Sequence, residues 1–200
     1  MSIKESFKNA LILIAITVIA GLILGAVYEI TKGTIAAAEE ADKKNAYYEV
    51  FPDAVDFVPV DGFMSDAKRE QLDAAGFEAV TIDELIQAKA SDGSVAGYVF
   101  TVTTSEGYGG DITLTTGIRN DGTINGISIL SINETAGLGM NAEKVLKPQF
   151  TGKSAQTLTY TKTGAVSDDQ IDAISGATIT TNAFVHAVNC CIKYYSDMLN

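Results

Sequence analysis

With 200 residues, 46% of them hydrophobic and 20% charged, the chain has enough apolar material for a folded core and is not disordered. Its net charge of −11 argues against a nucleic-acid binder, because phosphates require a basic surface. One histidine and two adjacent cysteines leave no donor set within the chain for a His-based triad, a multi-His metal site, an iron–sulfur cluster or a c-type haem. No metal site is expected.

Lys4 and Lys8 against Glu5 give residues 1–9 a basic balance. From Ala10 to Tyr28 there is no charged residue, and a helix of that length spans about 28 Å, close to the hydrocarbon thickness of a bilayer. Residues 10–30 are therefore expected to form one transmembrane helix. The apolar run is longer than a signal-peptide core, and Ala36-Ala37-Ala38 lies well beyond its end, which favours an uncleaved anchor. The lysines ahead of the span place the N-terminus in the cytoplasm and the rest of the chain outside it, in the cell membrane and in contact with lipid. Gly21 and Gly25 have the spacing at which membrane helices approach closely.

Residues 31–52 are alanine-rich and charged and read as a membrane-proximal stalk helix ending before Pro52; residues 53–200 form the main domain. Ala54 to Val60 reads as a short strand, at an edge because Pro59 has no N–H to donate. Asp66 to Ala75 reads as a polar helix stopped by Gly76. Thr81-Ile82-Asp83-Glu84 has capping-box spacing and predicts a second short helix to Ala90. Val95–Thr104, Gly110–Ile118 and Thr123–Ile132 are rich in β-branched and aromatic residues, and Asp-Gly pairs precede the first and third, the signature of antiparallel hairpins. Glu134 to Met140 is a glycine-bearing loop, Pro148 to Lys153 another connection, and Leu158 to Thr161 a last edge strand. Phe184, Val188, Cys191, Tyr195 and Leu199 mark one face of a C-terminal helix, with Thr180 or Thr181 as its N-cap. Cys191 reads as a packed hydrophobe, Cys190 as its less buried neighbour, and His186 as a packing or hydrogen-bonding side chain on the flank. The fold class is α+β: an antiparallel sheet with flanking helices, preceded by one N-terminal transmembrane helix.

Just ahead of the last helix lies Asp172-Ala173-Ile174-Ser175-Gly176-Ala177-Thr178. A turn of small residues at a helix N-terminus, where backbone N–H groups and the dipole favour an anion, suits a phosphate, although Ser, Gly and Thr are also ordinary residues of helix starts. The stretch resembles the flavinylation motif of the FMN-binding domain in the G subunit of Rnf complexes; the C subunit of the sodium-pumping NADH:quinone reductase carries a similar one. Gly97-Tyr98-Val99-Phe100, Gly107-Tyr108-Gly109-Gly110 and Glu134-Thr135-Ala136-Gly137-Leu138-Gly139 fit the same family, which usually has proline where this chain has Ala136. The resemblance runs from about residue 95 to 190.

The resemblance implies FMN esterified through its phosphate to Thr178 by a flavin transferase, in a subunit that passes electrons to partner subunits of an ion-pumping ferredoxin:NAD oxidoreductase. Gly176 and Ala177 would leave room for the transferase and the ribityl chain, with Ser175 in the same cofactor-binding stretch. Asp172 would orient the transferase's metal or a neighbouring hydroxyl; capping a turn is an equal reading. Leu138 would cover an apolar face of the ring, with Thr135, Gly137 and the rest of the Glu134 loop bonding its polar edge. Tyr108 would approach the flavin or fill the end of the sheet. No acid–base pair is visible, so no autonomous catalysis is expected. A C-type subunit of the quinone reductase and an anchored extracytoplasmic sensor or adaptor without redox chemistry are the alternatives.

Overall fold

Along β3 (Val95–Thr104) successive side chains face opposite sides, so Phe100 and Val102 enter one apolar cluster and Val99 another. The same alternation runs through β2 (Val80–Lys89), β4 (Ile112–Arg119) and β5 (Ile124–Ser131), and with β1 (Asp56–Pro59) these strands form an antiparallel meander in the order β1-β2-β3-β4-β5. The computed structural model describes residues 3–199. Met1, Ser2 and Asn200, at the ends of the expected N-terminal segment and C-terminal domain, lie outside them.

The chain divides into two units, Met1–Asp42 and Lys43–Asn200. The first consists of helix α1 (Ile3–Val50) up to Asp42, and its apolar residues are exposed. It is long and apolar enough to cross a membrane. Within it, the hydroxyls of Thr17 and Thr31 donate back to the carbonyls of Ile14 and Val27 at 2.9 Å each, so neither is left unpaired in an apolar setting.

In the second unit, α2 (Asp66–Ala74) is capped by the Ser65 side chain, which accepts from Lys68 N. The last helix, α5 (Thr178–Met198), buries Phe184, Val188, Cys191 and Tyr195 against one face of the sheet. On the other face lie the final turns of α1, with Tyr47 and Val50 followed by Phe51. Phe51 fits a hollow made by two glycines: a Cβ on Gly97 would lie 2.6 Å from its Cζ, and one on Gly117 3.0 Å from its Cε2.

Beside that apolar patch a row of oxygen-bearing side chains crosses four strands in register: Glu84 opposite Thr101, Thr101 opposite Thr115, and Thr115 opposite Ser128. Lys43 and Tyr47 each donate to Glu84 at 2.6 Å, and Ser128 donates to Glu49, which Lys147 also pairs at 2.5 Å. The Thr115 hydroxyl is fully buried with no partner among the described residues.

Four local expectations are corrected. Thr81–Ala90 is not a helix but most of β2, because its buried side chains alternate and it pairs with strands on both edges; a non-local ladder outweighs a local capping signal, and Glu84 bonds α1 instead. Leu158–Thr161 does not join the main sheet: β6 (Thr159–Thr161) pairs in parallel with β7 (Gln170–Asp172). The Pro148 connection contains two short helices, α3 (Ala142–Val145) and α4 (Lys147–Phe150), with proline in the first turn of α4, where its missing N–H costs nothing, and with Phe150 buried. Cys190 is as buried as Cys191. Burial raises the Cys190 thiol to about 12 and that of Cys191 well above its ordinary value, so both stay protonated at neutral pH.

Two outcomes follow. Replacing Thr115 by valine removes a buried unpaired hydroxyl at nearly constant shape and should stabilise the full-length chain by about 1 kcal/mol in thermal unfolding. For Glu84, burial opposes the charge, but the hydrogen bonds from Lys43 and Tyr47 outweigh it and hold the carboxyl below its ordinary 4.5. With the folded value depressed, this contribution is present above about pH 4.5 and is lost as pH falls through the folded value. The unfolding midpoint should therefore drop in acid, and Glu84→Gln should lower it near neutrality while flattening the acid decline.

Candidate functional site

Three turns converge at the N-terminus of α5. The first is Gly107–Gly110 between β3 and β4, the second is the Glu134–Gly139 loop after β5, and the third is Ser175–Ala177 ahead of α5. Around them lies a cavity of about 490 Å³, within the range of small-molecule and cofactor sites. It is lined by Tyr108, Glu134, Thr135, Leu138, Gly139, Gly176, Ala177, Thr178, Ile179 and Thr180.

Glu134 ties the first two turns together, since its Oε1 accepts from Tyr108 N at 2.8 Å and from Gly109 N at 3.4 Å. Gly139 joins the second turn to α5. A Cβ there would stand 2.6 Å from Thr180 Oγ1, 2.7 Å from Glu134 Cβ and 2.9 Å from Glu134 Oε2, so only glycine lets these three groups meet. Gly176 turns the chain into the helix with a φ of +78°, a conformation that strains other residues, and packs near Leu138 Cδ2.

Helix α5 begins at Thr178, with Ala177 at its cap making no side-chain bond. This corrects the expectation of Thr180 or Thr181 as N-cap. Both are buried in the first turn, and the Thr181 hydroxyl donates to Ala177 O at 2.9 Å while accepting from Ile174 N at 3.1 Å. Thr181 thus stitches the motif turn to the helix it precedes. The first-turn N–H groups of α5 have no carboxylate among their own residues to compensate them. Thr178 is half-buried and lines the cavity, and its hydroxyl makes no hydrogen bond to any described residue.

Of the residues singled out from the sequence, Thr178, Gly176, Ala177, Glu134, Thr135, Leu138 and Tyr108 line the cavity. Tyr108 is 70% exposed at the rim and does not fill the end of the sheet. Ser175, Gly137 and Asp172 stand outside the lining. Ser175 is exposed on the turn, and the Gly137 carbonyl accepts from Asn141 Nδ2 at 2.7 Å. Asp172 caps a turn: its Oδ1 accepts from Ala165 N at 2.5 Å, and Gln149 grips its backbone N–H and carbonyl at 2.7 and 3.1 Å. His186 faces elsewhere, stacked on Phe77 at 4.8 Å with Nδ1 2.5 Å from Glu106 Oε2. Gly139, from the expected Glu134 loop, completes the lining with Ile179 and Thr180, which were not among the expected site residues. Their signal was adjacency to the motif, hidden because threonine at a helix start reads as a cap.

Chemically, the cavity offers a free hydroxyl at a helix N-terminus, an apolar rim of Leu138 and Ile179, and one carboxylate. Among the described residues no lysine, arginine or histidine lines it. Residues 107–193 match the FMN-binding domain family, and residues 1–50 match the RnfG N-terminal region. The chain is 36% identical to the G subunit of the Na(+)-translocating ferredoxin:NAD(+) oxidoreductase complex of Acetobacterium woodii, over 98% of this chain and 94% of the relative. It is 30% identical to the G subunit of the ion-translocating oxidoreductase complex of Methanosarcina acetivorans, over 96% of each. Among solved structures, NqrC of Shewanella oneidensis is 18% identical, with a TM-score of 0.48 covering 73% of this chain and 82% of that one.

The contact at Gly139 makes a sharp prediction. Gly139→Ala should cost about 1–3 kcal/mol by forcing Thr180 and Glu134 apart, and differential scanning calorimetry on the full-length chain measures it.

Proposed function

Because the chain belongs to the family of G subunits of ion-translocating oxidoreductase complexes and carries an FMN-binding domain, we propose that it holds FMN through a phosphoester to Thr178. It is an electron-transfer subunit of such a complex. The finer reading is a ferredoxin:NAD oxidoreductase that pumps ions, with this chain anchored in the cell membrane by residues 10–30, its N-terminus in the cytoplasm and residues 53–200 outside.

The observation that carries the covalent reading is the Thr178 hydroxyl. It stands on the cavity wall at the start of α5, free of partners among the described residues and beside N–H groups that suit a phosphate. Around it no basic side chain of the described residues lines the cavity, so an ion pair is not available to retain a phosphate there. A bond to Thr178 does what a lysine or arginine would otherwise do. In net terms the condensation forms a P–O bond to Thr178 Oγ1 and breaks a P–OH bond of the FMN phosphate, the departing hydroxyl and the threonine proton leaving as one water. A flavin transferase is the partner that carries it out.

The residues present fit the group. Gly176 and Ala177 keep side-chain bulk away from the attachment point, Leu138 and Ile179 give apolar flanks, and Thr135 gives a polar edge. Bound FMN supplies the redox chemistry by accepting and returning electrons. The chain's own part is to hold it, to shield part of it, and to present the edge at Tyr108 to partner subunits. Asp172 and Gln149 set the path of the chain into the motif turn.

The test is the intact mass of the full-length chain, co-expressed with a flavin transferase and exported, read beside flavin fluorescence after denaturation. The expected gain is one FMN less one water in the wild type and in Thr178→Ser, and none in Thr178→Ala. An exported wild-type chain of unmodified mass, with the transferase shown active, overturns this reading and leaves a sensor or adaptor domain as the better account.

A further inference from the structure

Resting on the flavin reading above, we infer that Glu134 makes this cavity reject free flavin phosphate, so that FMN resides there only through its bond to Thr178. Glu134 is the one charged side chain among the described residues lining the cavity. It cannot swing clear, because Oε1 is held by the N–H groups of Tyr108 and Gly109. Its Oε2 lies against Gly139, on the side where Thr180 of the first α5 turn also meets that glycine. A fixed carboxylate therefore stands beside the helix N-terminus that would otherwise attract an anion.

The charges then decide the outcome. At neutral pH a free monoester phosphate carries about −1.5 to −2. Near Glu134 that charge is repelled, with no basic side chain among the described lining residues to offset it, and the chain's net charge of −11 adds to the repulsion. Esterification to Thr178 turns the monoester into a diester with a single negative charge, which lessens the repulsion, and the covalent bond removes the need for affinity altogether. Riboflavin has the same ring and ribityl chain but no phosphate, so Glu134 does not repel it. The device keeps an unmodified chain from filling with loose FMN before the transferase acts.

The experiment uses the full-length chain produced without a transferase, titrated with FMN and with riboflavin by fluorescence quenching at low and high salt. The wild type should bind riboflavin more tightly than FMN at low salt, with the gap narrowing as salt is added. Glu134→Gln keeps a carbonyl to accept from Tyr108 and Gly109 but removes the charge. It should tighten FMN about tenfold and leave riboflavin within about twofold. Glu134→Asp keeps the charge and should retain the preference, which controls for local packing. A wild type that binds FMN at least as tightly as riboflavin overturns the inference. So does a Glu134→Gln chain in which both flavins change equally, or binding of neither flavin to wild type and Glu134→Gln. None of these results bears on the mass of the co-expressed chain, so the covalent reading stands or falls separately.

Discussion

The close approach at Gly139 is the constraint on which the site depends. Backbone with no side chain at this position lets the loop after β5 touch Thr180 of α5 and Glu134 at once. Glu134 in turn reaches the turn between β3 and β4. Three segments far apart in sequence are thereby pinned around one cavity, each on the end of a rigid element. Sites on loops gain their geometry from the scaffold beneath them. Here that scaffold is the meander, with α5 packed across it.

The two faces of the meander are built on different principles. Under α5 a large apolar cluster dominates, so burial is the main source of cohesion, with Tyr195 adding hydrogen bonds to the carbonyls of Arg119 and Asn120. Against the last turns of α1 an apolar patch around Phe51 adjoins a row of carboxylates and hydroxyls. Such a row adds less to stability per contact than methyl groups would, because desolvation offsets much of each bond. It does fix register: Glu84 can take Lys43 and Tyr47 only when the end of α1 is correctly placed along the strands.

Electrostatics sets the logic of the site. An acidic chain with no basic group among the described residues of its cavity is poorly suited to retaining an anion reversibly, yet its family is one of FMN-binding domains. The covalent attachment proposed above would resolve that conflict through the hydroxyl on the wall beside the helix N-terminus, since a covalent bond does not depend on ambient ligand concentration. With the topology proposed above, in which a released cofactor would be lost from the cell, the same arrangement has an evident use.

Much of this was legible in the residues. The apolar run, four of the five main strands, the polar helix and the last helix follow from periodicity and turn chemistry, which are local properties of the chain. The motif around Thr178 and the loop from Glu134 were visible as words in the sequence. Their meeting was not: it arises where Gly139, Thr180 and Glu134 touch, across contacts no spacing encodes. For the same reason Thr81–Ala90 looked helical, since its capping-box pattern is local, whereas its true partners lie on neighbouring strands and on α1. Asp172 could be assigned to turn capping, and Thr181 to stitching rather than capping, only once Ala165, Gln149 and Ile174 were seen beside them. The sequence by itself determined the segments whose helix or strand follows from their own residues, the apolar run, four strands and the last helix among them. Tertiary structure alone decided what surrounds the Thr178 hydroxyl, because the lining is assembled from turns brought together by packing rather than by chain proximity.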